Sequence, residues 1–525
     1  MSAPVYDVAI VGYGPAGAVA AALLGQQGLS VYVCERLTEV YQIPRAIALD
    51  HEIMRVFQQL DVVDAVLPYT EPFTNSEYFG VDGRLIRRMT MIAPPYPQGY
   101  TPSIVFTQPQ VERVLRERVA RMPGVQVDLG VEMRRVRQDA AGVTLEIGAP
   151  DGGTKTVRAQ YVIACDGGSS AVRTQLEMPL DDLAFDEPWL VVDVLVNAQG
   201  LAKLPKVSVQ YCEPERPCTL VIGPGNHRRW EISLKPGEDP KQVATPEETW
   251  KLLARWLAPA DGELWRQASY RFHALVASEW RRDRVFLAGD AAHMQPPFLG
   301  QGMCQGVRDV ANLAWKLGMV LRSEVQGAAA QALLDSYGTE RKAHVRELTS
   351  RIKAVGAVIC ERDPDKARER DARLLAECGG IVQDTPRQDI LPRLENGLLS
   401  AHASTARGSL FPQPALHAGG ERRLMDRVAG NGWRLVLAAG SAANGCDAQW
   451  AGLRVVDLRE TQESEGVAAH WFRRHECVAA LVRPDNYVYG VAAQAQDISG
   501  LVEEAAQALG LELARAITNQ ETHPC

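Results

Sequence analysis

Asp7-Val8-Ala9-Ile10-Val11-Gly12-Tyr13-Gly14-Pro15-Ala16-Gly17 decides how the chain begins to fold. Val8 to Val11 are an unbroken apolar run, which predicts a fully buried strand. The run enters Gly12-x-Gly14-x-x-Gly17, and the Ala-rich stretch after it predicts a helix up to Gly28. A second apolar strand, Leu29 to Cys34, then ends on Glu35. Each glycine has its own physical task. Gly12 permits the tight turn, Gly14 lets the backbone approach a pyrophosphate, and Gly17 lets the helix close on the strand. The helix start, with Pro15 and Ala16 in its first turn, offers unpaired N–H groups and a partial positive charge. Glu35, 18 positions after Gly17, can accept hydrogen bonds from both hydroxyls of a ribose. A glycine triplet alone would be an ordinary turn. Strand, turn, helix, second strand and acid in register predict a dinucleotide site.

Composition narrows the rest. A chain of 525 residues predicts about three domains, and 46% apolar residues supply material for buried cores. A net charge of −8 argues against nucleic acid or an anionic membrane as the main partner. No window holds the ~18 uninterrupted apolar residues of a spanning helix. The N-terminus lacks a basic segment and enters the first strand at once, so no signal peptide is expected. Ten cysteines (34, 165, 212, 218, 304, 360, 378, 446, 477 and 525) form no CxxC and no zinc spacing. They read as reduced thiols, with no metal site expected and the cytoplasm as the expected compartment.

Further along, Arg45-Ala-Ile-Ala-Leu-Asp50 leads into a helix from His51 to Leu60, and Gln108 opens an amphipathic helix. Strands are expected at 125–129, 133–138, 143–147 and 157–164, the last closing on Cys165-Asp166-Gly167 and reaching Arg173. Residues 185–275 change texture to β-like runs, which predicts an antiparallel sheet, with 250–257 as its one clear helix. Arg284-Val-Phe-Leu-Ala-Gly289-Asp290 is a second strand ending on a glycine–acid pair. A loop through Pro297, Gly300, Gln301 and Gly302 follows, then helices from near Met303 to Leu321, from Ala328 to about Cys360 and from Pro364 to Cys378. The segment 383–430 reads as a linker or loosely packed wrap. Strands at 433–438, 453–457, 477–483 and 487–492, and a helix at 498–509, form a last unit.

Three dispersed motifs, the glycine triplet, Asp166-Gly167 and Gly289-Asp290, together with Glu35-Arg36 and Arg45, resemble the single-component FAD-dependent aromatic hydroxylases of the para-hydroxybenzoate hydroxylase type. The resemblance covers roughly residues 5 to 350. The form Gly300-Gln-Gly-Met-Cys-Gln-Gly-Val-Arg-Asp-Val-Ala-Asn-Leu-Ala-Trp-Lys-Leu317 is most similar to the 3-(3-hydroxyphenyl)propionate and phenol hydroxylase branch.

The resemblance implies an α/β fold in three parts. A Rossmann-like FAD-binding domain (1–70, 103–180 and 280–385) would carry an inserted antiparallel-sheet substrate domain (71–102 and 181–279). After a linker (386–430) would come a thioredoxin-like domain (431–525), whose lack of CxxC argues against a redox role. It implies that Glu35 holds the adenosine ribose and Arg36 lies along the adenine. Arg45 and Gln108 would contact the pyrophosphate or ribitol side, and Asp290 a ribitol hydroxyl. Pro297 and the Gly300–Gly302 backbone, with Met303 opening the helix, would line the flavin ring. The resemblance also places Asp166 and Arg173 in a motif that in that family serves FAD and nicotinamide nucleotide together. No catalytic side chain is assigned.

The implied reaction joins a phenolic acid of the 3-(3-hydroxyphenyl)propionate kind, dioxygen and NADH or NADPH through a peroxyflavin. The alternative within the same enzyme class is a hydroxylase of other aromatics, such as resorcinols, halophenols or polyketide rings. With one dinucleotide fold, the nicotinamide would approach transiently; the family suggests NADH and a homo-oligomer. A disulfide-reductase type would need a second GxGxxG, and Gly223-Pro-Gly225-Asn-His lacks it. A non-catalytic FAD-binding protein is the remaining alternative. Taken singly, His293, Cys304, Arg229, Trp230, Tyr270 and His273 are expected to be structural.

Overall fold

The computed structural model describes residues 5–148, 152–439, 448–460 and 463–515. It divides into two compact units, Met1–Pro94 with Thr101–Val310 and Val345–Leu391, and Pro95–Tyr100 with Ala311–His344 and Pro392–Cys525.

Unit one holds the opening strand at the centre of a parallel sheet. Val5–Val11 pairs with Val31–Glu35 on one side and Thr154–Ala164 on the other, and Val125–Leu129 and Val285–Leu287 extend the sheet outward. Val8 to Val11 are buried, as a strand covered on both faces requires. Glu132–Asp139 and Gly142–Gly148 form an antiparallel excursion off Thr154–Ala164. Four parallel strands run out at one edge, on Gly12, Glu35, Cys165 and Ala288. Ligands of open α/β sheets bind at such carboxyl ends.

Among the described residues, the second sheet has nine strands. Its spine is Leu180–Val196 against Gly262–Ala277. Sequence reading reaches only the later half of each. Asp181, Asp182, Asp186 and Glu187 break the apolar alternation in the first, and the register shifts between Asp182 and Asp186. The sheet is not purely antiparallel, as expected, but mixed. Ser208–Tyr211 runs parallel to Ser76–Phe79, and Gln383–Pro386 runs parallel to Leu85–Thr90. The start of the supposed linker is therefore an edge strand, whose short polar composition hid it.

One face of this sheet packs on Leu190, Val192, Val194, Leu220, Trp230 and Ile232, covered by Leu253 and Leu257. The helix there is Pro246–Leu253 rather than 250–257. Thr245 caps it, accepting from the Glu248 N–H at 3.4 Å, and Thr-Pro-Glu-Glu is a start signal that outranks apolar spacing. Helices Gly302–Leu321, Gly327–Cys360 and Pro364–Glu377 lie where the sequence puts them.

Unit two contains a four-stranded sheet ordered Arg454–Asp457, Arg434–Leu437, Ala479–Val482 and Val488–Ala492. The first pair is parallel and the others antiparallel. These strands and the helix Ile498–Leu509 match the expected elements closely. Trp433 packs edge-on against Trp315, Trp450 and Tyr489, with ring centroids 5.7–5.9 Å apart. Within the supposed linker, Ala415–Ala418 and Glu421–Leu424 form a hairpin and Met425–Ala429 a short helix. Cys446 and Cys525 lie outside the described residues.

Candidate functional site

The glycine turn behaves as its spacing demands. Gly12 has φ +96°, and a Cβ on it would meet the Cys165 carbonyl oxygen at 2.3 Å. A Cβ on Gly17 would meet the Gly12 oxygen at 2.1 Å, so helix Pro15–Gln26 sits directly on the turn. Gly14 differs: a Cβ there would meet nothing within 4 Å. It is also the N-cap of that helix and provides no capping side chain, which leaves the first N–H groups for a bound anion.

In front of this turn lies a cavity of about 380 Å³, within the usual range for small-molecule sites. Its lining comes from three sources. Gly14, Pro15, Ala16, Arg45, Gln108 and Asp290 belong to the nucleotide edge; Pro297, Gly300, Gly302 and Met303 to the loop and helix start; and Ser208, Gln210, Thr219, Arg229, Glu231 and Phe272 to the mixed sheet. Of the expected residues, Gly12, Gly17, Glu35, Arg36, Asp166 and Gln301 are not in the lining.

Each of these has a visible place. Glu35 ends its strand and is buried; its Oε2 accepts from the Tyr13 N–H at 2.7 Å and its Oε1 from the Leu37 N–H at 2.9 Å. Each oxygen keeps a lone pair. Arg36 is exposed beside it. Asp166 accepts from the Val172 N–H at 3.2 Å, while its buried Oδ1 has no partner. Burial raises its pKa, opposed by Ser170 and the Val172 N–H. Arg173 donates to the Ala291 and Gly168 carbonyls at 2.9 and 2.7 Å. It thereby ties the Asp-Gly loop to the Gly-Asp turn.

Asp290 opens onto the cavity, and its carboxyl pKa is raised by the crowding of protein around it, with His293 and Arg45 opposing. His293 is structural, bonded to Asp309 at 2.8 Å and stacked on Trp280. Cys304 is buried, which pushes its thiol pKa well up and leaves it inert.

Two anchoring networks hold the segments around the cavity. The Gln108 side-chain oxygen accepts from the Arg45 and Ala46 N–H groups at 2.9 and 2.6 Å. Arg229 donates to the Arg45 and Pro44 carbonyls at 2.8 and 3.1 Å while gripping Asp193 at 2.7 Å. Arg45 itself is exposed on a fixed backbone. At the other side Arg308 donates to Asp50, Glu52 and Gln301. Gln301 thus braces the loop from behind, and the Gly300 φ of +63° lets that loop turn beside Ala48.

Beside Arg229, expected to be structural, the sheet contributes residues that the sequence did not single out. Cross-strand register places Gln210, Thr219 and Glu231 in one row, and Ser76, Ser208, Val221 and Arg229 in the next. Both rows line the cavity. Period-two alternation of polar residues against Trp230, Leu220 and Val209 was the available signal. Arg387, buried behind the late edge strand, also lines it, bonded to Ser103 and Leu299 and stacked over Phe73 at 4.3 Å.

The arrangement fits FAD. Gly14 leaves an open cradle, the helix start is uncapped, Asp166 Oδ1 is unpartnered, and neither side-chain polar atom of the lining residue Gln295 has a partner.

Comparison with known proteins agrees. A family model described as FAD binding domain matches residues 5–352, and one described as HcaD C-terminal domain matches 408–508. The chain is 37% identical to a probable NADH-specific resorcinol 4-hydroxylase of Rhodococcus jostii (strain RHA1), over 96% of this chain and 95% of that one. It is 33% identical to a 3-(3-hydroxy-phenyl)propionate/3-hydroxycinnamic acid hydroxylase of Klebsiella pneumoniae (strain 342), over 93% and 92%. Among solved structures, the flavin-dependent monooxygenase PieE in complex with FAD and substrate aligns with a TM-score of 0.80. Its identity is 22%, and the alignment covers 97% of this chain and 99% of that one.

Proposed function

The chain belongs to the FAD-binding-domain family of aromatic hydroxylases, and from that premise we propose that it hydroxylates a phenol bearing a substituent meta to its hydroxyl, with NADH as reductant. It is a flavoprotein monooxygenase; the substrate class and the nicotinamide are our reading. The two relatives are named for resorcinol and for 3-(3-hydroxyphenyl)propionate, which share that meta pattern.

Bound in the cavity, FAD supplies the redox chemistry between reduced nicotinamide, dioxygen and the ring. The chain's own residues do the rest. The Gly14 backbone and the helix start at Pro15 would take the pyrophosphate, Glu35 the ribose, and Arg45 and Asp290 the groups between pyrophosphate and ring. The backbone from Pro297 to Met303 would flank the ring, with the dipole of helix Gly302–Leu321 favouring negative charge there. The mixed sheet orients the phenol, while Phe73, Phe272 and Phe298 keep water out.

The observation that carries the reading is the meeting of nucleotide edge and polar sheet face in one cavity. It is tested with FAD-loaded protein, NADH and a panel of phenols, by chromatography of hydroxylated product. Product from meta-substituted phenols supports the reading; NADH oxidation without product from any phenol contradicts it. We read residues 431–525 as thioredoxin-like, from the parallel pair and antiparallel hairpin of their sheet. Cys477 is buried, and its thiol pKa is pushed up to about 12 by that burial, which suits packing rather than redox work.

A further inference from the structure

Glu231 is an acid buried in the cavity wall with no hydrogen-bond or ion-pair partner among the described residues. Its residue is 5% exposed. It lines the cavity from strand His227–Ser233, and its side chain takes part in no hydrogen bond or ion pair with any described residue. Its neighbours are already committed. Arg229, two positions earlier on the same face, is held by Asp193 and two carbonyls. Beside Glu231 in the cross-strand row, Thr219 donates to Gln210 Oε1 at 2.5 Å.

Burying a carboxyl without a hydrogen bond costs folding free energy. The cost is offset when a ligand donor arrives, and the cavity is the side from which it can. Burial raises the Glu231 pKa, Arg229 and Arg266 oppose that, and Asp193 adds to it. In its ionised form such a carboxylate is a stronger proton acceptor than an exposed one.

We propose that Glu231 accepts the hydrogen bond of a substrate phenolic hydroxyl, fixing the ring and raising its electron density for hydroxylation. The proposal rests on the phenol-hydroxylase reading and names the group that the substrate must present: a hydroxyl able to donate. No atom leaves the substrate in this contact. The O–H bond is polarised toward the Glu231 carboxylate, and the proton stays shared between the two oxygens.

The test compares resorcinol with 1,3-dimethoxybenzene, which has the same ring but no O–H. Dissociation constants are read from the perturbation of flavin absorbance in FAD-loaded wild type, Glu231→Gln and Glu231→Leu, without NADH. Wild type is expected to favour resorcinol by about tenfold or more, as a charge-assisted hydrogen bond implies. Glu231→Leu should bind both alike, Glu231→Gln should fall between, and both variants should keep wild-type FAD content. In turnover, Glu231→Leu should lose at least about tenfold in kcat/KM for resorcinol. Equal affinities in wild type, or an undiminished preference and kcat/KM in Glu231→Leu, would overturn the proposal while wild-type product formation upheld the hydroxylase reading. Wild type that binds FAD yet forms no product from any meta phenol would overturn that reading, and this proposal with it.

Discussion

Gly14 and Gly17 lie three residues apart, and the structure gives their substitution opposite consequences. Gly14→Val places a side chain in open space, so the protein should fold and melt like wild-type apoprotein yet retain no FAD. Gly17→Val drives a Cβ to 2.1 Å from the Gly12 oxygen, so it should give little soluble protein. Expression yield, melting temperature and flavin absorbance after gel filtration distinguish the two. Asp290→Ala should remain folded and lose roughly 10- to 150-fold in FAD affinity, the range for a hydrogen bond to a charged group, measured by equilibrium dialysis. The glycine turn and the position of Asp290 on the cavity were legible because both follow from local spacing. Glu231 was not. The run around Trp230 shows an acid in a strand, but only the register of three strands reveals that its face is the cavity and that its neighbours are taken.

Helix Gly302–Leu321 and the loop before it depend on Arg308, whose guanidinium is bonded to Asp50, Glu52 and Gln301. Arg308→Met leaves those acids buried without their cation, a loss of about 3–5 kcal/mol. Thermal unfolding should register it as a clearly lower melting temperature, and the FAD that remains bound should exchange faster. An unchanged melting temperature would mean the acids find another donor. At this scale the sequence revealed most helices and the parallel strands, whose apolar runs are long and continuous. It concealed Gln383–Pro386, which contains one apolar residue and is a strand only because Leu85–Thr90 offers an edge. It also misplaced the helix at Pro246–Leu253, where the half-buried Trp256 still packs against the sheet core although the helix has already ended.

Across the whole molecule, stability in acid rests on buried carboxylates held ionised. In unit two, Glu340 is fully buried, bonded to Lys316 at 2.8 Å and to Arg483 at 2.7 Å. Burial opposes its ionisation, but Arg483 and Lys316 prevail and hold its pKa down at about 2. In unit one, Asp193 is held at about 2 against burial, chiefly by Arg229 and His227. Both folded pKa values lie below the unfolded ones, so this stability is present above about pH 4–4.5. It is lost as pH falls through about 2. Glu340→Gln should lower the melting temperature at neutral pH and flatten its decline between about pH 4.5 and 2. An unaltered acid limb would show that other groups govern it. These clusters escape sequence reading because Glu340, Lys316 and Arg483 are far apart in the chain, and each alone reads as a solvated charge.

A cavity shared by a nucleotide edge and a polar sheet face equips this chain to insert one atom of dioxygen into a phenol. Turnover of the FAD-loaded protein under ¹⁸O₂ with NADH and resorcinol, followed by mass spectrometry of the product, tests it most directly. The expected result is one new hydroxyl on the ring, with its oxygen labelled, and about one NADH consumed for each product molecule in a well-coupled turnover. A hydroxylated product carrying unlabelled oxygen from water, or NADH consumed with only peroxide formed for every meta-substituted phenol, would contradict it.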